Sequence, residues 1–136
     1  MEIIRQDMKR ILVVEDTQDN FDLVADALGS LYEISHAETG TAGIAQAASL
    51  LPDLILLDMS IPELDGWEVA RRLRADAATA QIPVIALTAH AMKGDRERCI
   101  EAGCTDYMSK PLNIRELVQM AERYAPAAES CTTTRS

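Results

Sequence analysis

Leu54-Ile55-Leu56-Leu57-Asp58 is the stretch from which the fold is read. Four consecutive apolar residues end in a carboxylate. An unbroken apolar run this short fits a strand buried on both faces of a parallel sheet, where no alternation of polar and apolar positions is needed. Asp58 then stands where the strand leaves the sheet, at its carboxyl end.

The pattern recurs on either side. Ile11-Leu12-Val13-Val14 ends in Glu15-Asp16, and Val84-Ile85-Ala86-Leu87 ends in Thr88. Tyr32 to Ala37 alternates, as a strand with one wetter face does, and predicts an edge strand. Thr105 to Met108 is a short fifth strand, followed by Ser109-Lys110-Pro111. Helical spacing fills the gaps. Phe21, Val24, Leu28 and Leu31 form one stripe, with Thr17 or Asp19 as a cap and Gly29-Ser30 as a stop. Thr39-Gly40-Thr41 opens an alanine-rich helix to Leu50, with Ile44, Ala48 and Leu51 on one side; its small contacts predict a close helix–sheet approach. Met59 to Gly66 is turn-rich, and a third helix runs through Trp67, Val69, Ala70 and Leu73. His90 to Ala102 reads as a helix with a weak apolar face, with Gly103 at its C′ position. Ile114, Leu117, Val118, Ala121 and Tyr124 mark the last helix.

Strand and helix therefore alternate five times. The expected fold is α/β, a doubly wound five-stranded parallel sheet with helices on both faces. The strand order 2-1-3-4-5 is taken from the common doubly wound topology and not from these residues. Residues 1–8 are expected to be a lead-in, 9–125 one domain, and 126–136 a disordered tail.

Composition narrows the function classes. Of 136 residues, 48% are hydrophobic and 26% charged, a globular profile. Twenty-two acids against 13 bases give a net charge of -9, which argues against direct nucleic-acid binding, since that needs a basic patch. Cys99, Cys104 and Cys131 match no zinc or disulfide spacing, and Cys99 and Cys104 read as small packing residues. There is no apolar stretch of signal-peptide or transmembrane length. A cytoplasmic protein without membrane insertion is expected.

The strand ends carry the chemistry. In an open parallel α/β sheet the ligand site lies outside the carboxyl ends of the strands, where strand order reverses. In the order above, strands one and three meet there, bringing Glu15, Asp16 and Asp58 together beside Thr88 and Lys110. Three carboxylates cannot share a site fully ionised without a counter-charge. Their oxygens suit a hard divalent cation such as Mg²⁺, which is held by few carboxylates plus water and phosphate. Lys110 is a point-charge binder of phosphate, and Thr88 supplies a hydroxyl donor. Asp58, on the central strand, is the nucleophile candidate, and an aspartyl phosphate is an established type of covalent intermediate. Taken singly these residues have ordinary readings as caps, turn residues or a solvated lysine; their shared position carries the argument.

At this point the sequence resembles the receiver domain of two-component response regulators, the CheY-like superfamily with its flavodoxin/CheY-like fold. The resemblance rests on Glu15-Asp16, Asp58 after an apolar strand, the Pro62 to Asp65-Gly66 loop, Thr88-Ala89 and Lys110-Pro111, and spans residues 9 to 125. It implies that Asp58 accepts a phosphoryl group from a sensor histidine kinase or histidine phosphotransfer protein. It implies Mg²⁺ held by Glu15, Asp16, Asp58 and the backbone carbonyl of Ser60. Thr88 and Lys110 would contact phosphoryl oxygens, Tyr107 would be the switch aromatic, and Lys110-Pro111 a cis peptide. Ser60 and His90 would tune phosphoryl lifetime. The expected protein is a phosphoacceptor switch and not an enzyme: a stand-alone regulator with no attached output domain. It would present its fourth helix, fifth strand and fifth helix to an unidentified downstream protein, as a monomer or a weak phosphorylation-dependent dimer. Two readings from other classes compete. An aspartyl phosphatase of the haloacid dehalogenase type has a second Asp two residues after the nucleophile, where this chain has Ser60. A flavodoxin-like cofactor binder needs a Ser/Thr/Gly-rich phosphate cradle, which these loops lack.

Overall fold

All five residues of the strand Leu54–Asp58 are buried, and the rest of the chain is layered around it. The computed structural model describes residues 8–61, 63–89 and 93–126. The elements in order are β1 (Arg10–Val14), α1 (Gln18–Leu28), β2 (Glu33–Ala37), α2 (Gly40–Leu50), β3 (Leu54–Asp58), α3 (Gly66–Ala75), β4 (Val84–Thr88), α4 (Lys93–Ala102), β5 (Asp106–Ser109) and α5 (Ile114–Tyr124). The sheet order is β2-β1-β3-β4-β5, with every neighbouring pair parallel. The predicted architecture and strand order are observed.

Alternate residues of the buried strands face opposite layers, because side chains alternate across a strand. Leu12, Val14, Ile55, Leu57, Val84 and Ala86 face Ala47 of α2, Val69 and Leu73 of α3, and Cys99 of α4. Ile11, Val13, Leu54, Leu56, Ile85 and Leu87 face Val24 and Leu28 of α1 and Leu117 and Ala121 of α5. Burial on both faces explains why β1, β3 and β4 read as unbroken apolar runs. β2 pairs only with β1 and carries the polar edge that its alternation predicted.

The second helix differs from its expected face. Ala48 is exposed and Leu51 is 53% exposed, while Gly40, Gly43 and Ala47 are the buried positions. The cause is the close approach itself. A Cβ on Gly43 would stand 2.9 Å from Cγ2 of Val14, and one on Gly40 only 2.9 Å from the Leu64 Cβ. Only a stripe of minimal side chains lets α2 lie this near β1 and the loop before α3. The last helix also departs in one place: Ile114, at its first turn, is 53% exposed.

Helix ends follow local chemistry. Thr39, Asp65 and Asn113 cap α2, α3 and α5, each accepting the backbone N–H three residues on. Thr17 is the N-cap residue of α1 but makes no side-chain cap bond. Gly103 follows α4 with φ +114°, and the Cys104 N–H reaches back to the Cys99 carbonyl at 2.9 Å, so a residue with a Cβ would be strained there. Cys99 and Cys104 are buried and form no disulfide, and burial first, then Cys99, pushes the Cys104 thiol up to about 12. A thiol so reluctant to ionise is inert, in keeping with a packing role.

The contact at Gly43 yields a test. Gly→Ala in a helix gains about 1 kcal/mol of propensity, which works against overpacking. Gly43→Val adds bulk without that gain and is expected to lower unfolding stability by about 1–3 kcal/mol, read from the urea midpoint. An unchanged midpoint would refute the tight α2–β1 approach.

Candidate functional site

Two strand ends deliver the three acids. β1 stops at Val14, and the Glu15 N–H makes one more sheet bond, to the Ala37 carbonyl at 2.9 Å, before the chain turns away. Glu15 is fully buried, Asp16 is exposed, and Asp58 is 3% exposed as the last residue of β3. Because β1 and β3 are neighbours in register, one carboxylate oxygen from each of the three acids lies within 4.8 Å of the others. The geometry therefore brings Glu15, Asp16 and Asp58 together.

Lys110 enters from beyond β5. Its N–H donates to the Thr88 carbonyl at 2.8 Å, so β4 fixes its backbone. Its Nζ donates to Asp58 Oδ2 at 3.0 Å and lies 3.4 Å from Glu15 Oε1. The other Asp58 oxygen, Oδ1, accepts the Ser60 N–H at 3.0 Å. Thr88 closes β4 and is buried, with 7% exposure. Tyr107 is half-buried in β5 opposite Ala86, packed against the layer under α2, α3 and α4. Thr88 is two residues beyond Ala86, so Thr88 and Tyr107 share that face of the sheet. The Lys110–Pro111 peptide is cis. His90 and Pro62 lie outside the described residues, as do residues 1–7 of the lead-in, residues 127–136 of the tail, and Cys131 within it.

Among the described residues the charges are out of balance: three carboxylates face one ammonium. Burial, then the neighbouring Asp58, hold the Glu15 carboxyl above the usual range, with Lys110 pulling only partly the other way. Burial alone would depress the Lys110 ammonium, but the hydrogen bond and charge of Asp58, joined by Glu15, outweigh it and leave it raised. Among the described residues Glu15 Oε1 is buried without a hydrogen-bond partner; the Lys110 contact at 3.4 Å is an ion pair lacking hydrogen-bond geometry. A buried carboxylate oxygen in that condition is costly unless something positive meets it. The donor set is all oxygen, and Lys110 already occupies one Asp58 oxygen. A hard divalent cation keeping several of its waters fits these residues.

One contributor was not read from the sequence. His36, in β2, places Nε2 2.7 Å from the Glu15 carbonyl. The alternating pattern of Tyr32 to Ala37 marked it only as a residue of an edge strand.

With this site described, the family is clear. The sequence matches the response regulator receiver domain family across residues 11–122. It is 39% identical to the polar-differentiation response regulator DivK of Brucella ovis over 117 residues, 85% of this chain and 95% of that protein. The receiver domain of the sensor histidine kinase PA1611 from Pseudomonas aeruginosa superposes with a TM-score of 0.79 at 38% identity, covering 85% of this chain and 96% of that one. That domain was solved with a magnesium ion coordinated in its active-site cleft. The signal receiver domain of a signal transduction histidine kinase from Syntrophus aciditrophicus superposes with a TM-score of 0.78 at 30% identity, over 85% and 89% of the two chains. The chain belongs to the response regulator receiver domain family of two-component signalling. Members of this family are phosphoacceptor switches. Among the described residues no helix is long and apolar enough to cross a membrane.

The raised Glu15 carboxyl sets a pH dependence. A carboxyl whose folded pKa lies above its unfolded value of 4.5 contributes stability fully below that value and loses it as pH rises through the folded pKa. A negative charge on Glu15 thus costs the metal-free protein stability above that value. Metal-free Glu15→Gln is expected to unfold at higher urea than wild type at pH 7, with the gap closing below about pH 4.5. Equal midpoints at both pH values would contradict this electrostatic account.

Proposed function

We propose that this receiver accepts a phosphoryl group on Asp58, in a Mg²⁺-dependent reaction, from a sensor histidine kinase or a histidine phosphotransfer protein. The observation that carries the reading is the meeting of Glu15, Asp16 and Asp58 within 4.8 Å, with Lys110 Nζ 3.0 Å from Asp58 Oδ2. In the reaction an Asp58 carboxylate oxygen attacks the phosphorus of a phosphohistidine. The P–N bond breaks, its electron pair stays with the imidazole nitrogen, and an acyl phosphate forms at Asp58. Glu15, Asp16, Asp58 and the Ser60 carbonyl would hold Mg²⁺. Bound there, the ion neutralises charge on the transferring group.

The chain's own residues do the rest. The Ser60 N–H on Oδ1 orients the nucleophile. Lys110, fixed through its backbone to β4, supplies positive charge where phosphoryl oxygens accumulate. Thr88 offers a hydroxyl at the end of the neighbouring strand. Phosphorylation adds charge and acceptor oxygens. The added acceptors draw in Thr88, and Tyr107, on the same face, fills the space it leaves. α4, β5 and α5 form the surface that responds. In keeping with a shiftable element, α4 buries the small residues Cys99 and Ala102 and leaves Ile100 46% exposed. Ser60 and His90 follow Asp58 and Thr88 by two residues in the sequence and would set phosphoryl lifetime by steering an attacking water. The reading includes a domain at 9–125, a cytoplasmic location, a downstream protein partner, and a monomeric or weakly dimeric state.

Incubation with Mg²⁺ and a small phosphodonor or a phosphorylated histidine kinase tests the proposal. Acid-labile label is expected on wild type, absent in Asp58→Asn, and suppressed without Mg²⁺. Undiminished labelling of Asp58→Asn, or labelling that ignores the metal, would overturn it, and repeated turnover of a phosphate ester would favour an aspartyl phosphatase. Ser60 and His90 variants are expected to change the decay rate of the label more than the unfolding midpoint. Unchanged decay in both would remove them from the chemistry.

A further inference from the structure

The Glu15–Asp16 pair poses a geometric problem. In a continuing strand the two side chains would point to opposite faces, but β1 ends at Val14 and both carboxylates reach within 4.8 Å of Asp58. The peptide joining them must therefore turn out of the strand plane, and its carbonyl loses the sheet partner that a continuing ladder would give it. That carbonyl, the Glu15 oxygen, lies 2.7 Å from His36 Nε2. A carbonyl only accepts, so Nε2 carries the proton and donates. The last ladder bond of this edge is the Glu15 N–H to Ala37, and one atom group later a side chain takes over from the backbone.

His36 is held at two points, its ring and its backbone. The Phe21 ring of α1 stacks on the imidazole, with centroids 4.0 Å apart and planes 6° from parallel. Gln46 of α2 donates from Nε2 to the His36 carbonyl at 3.1 Å. β2, α1 and α2 thus converge on one donor aimed at one peptide plane.

We propose that His36 is a positioning residue for the acidic pair: its Nε2–H fixes the turned Glu15–Asp16 peptide so that both carboxylates face Asp58. The inference rests on the reading of this cluster as a Mg²⁺ site. Partners that orient a metal's ligands commonly govern affinity without touching the ion.

The test is calorimetric titration of the metal-free full chain with Mg²⁺, alongside its metal-free urea midpoint. His36→Leu removes the donor and is expected to weaken Mg²⁺ binding about tenfold. His36→Gln keeps an N–H at comparable reach and is expected to recover most of that loss, while the two variants share a similar metal-free midpoint. Wild-type affinity in His36→Leu, or equal losses in the two variants, would overturn the inference. If His36→Leu does not fold, Phe21→Leu keeps the donor but removes the ring that holds it; weakened Mg²⁺ binding then supports the inference and unchanged binding overturns it. Absence of Mg²⁺ binding by wild type overturns the metal reading itself, which distinguishes that failure from a failure of His36.

Discussion

Glu15 and Asp58 repel each other, and the two central strands do not let them part. β1 and β3 are adjacent, parallel and buried on both faces, so the carboxyl ends of both open on the same spot. The fold's hydrophobic burial therefore sustains an electrostatic conflict that isolated side chains would relieve by moving away. Lys110 relieves part of it, and the Glu15 oxygen left without a hydrogen bond marks the part it does not relieve. A site strained in this way gains from a cation and from a phosphoryl group that brings its metal with it.

The division of labour follows from packing. β1, β3 and β4 are fixed by apolar layers above and below, which holds the proposed nucleophile steady. The elements around the site are tied to it by fewer bonds: a Ser60 N–H, a Thr88 carbonyl, a His36 imidazole. These bonds lie at the carboxyl ends of the strands, outside the apolar layers of the core. Such a rigid acceptor with movable neighbours is what a phosphorylation-driven switch needs.

Much of this was legible in the sequence, for physical reasons. Strands buried on both faces must be apolar throughout, so Leu54–Leu57 and its counterparts stood out, and the acids at their ends were visible as interruptions. The meeting of Asp58 with Lys110, 52 residues apart, became readable only once topology placed their strand ends together. The buried face of α2 was not readable. Glycine and alanine carry little hydrophobic signal, and the choice of Gly40, Gly43 and Ala47 over Ala48 and Leu51 is made by Val14 and Leu64, contacts that no local period encodes, while Ile44 does pack against the core as its spacing suggested. His36 escaped for a related reason: its role depends on the tilt of one peptide plane in a neighbouring strand.

The central claim is that Asp58 is the acceptor because the sheet holds it among its fellow acids and Lys110. The most direct measurement is borohydride reduction of the phosphorylated protein, which converts an aspartyl phosphate to homoserine, followed by mass-spectrometric sequencing of the peptides. The account predicts homoserine at position 58 alone. Homoserine at position 16, or none at all in protein that carries acid-labile phosphate, would contradict it.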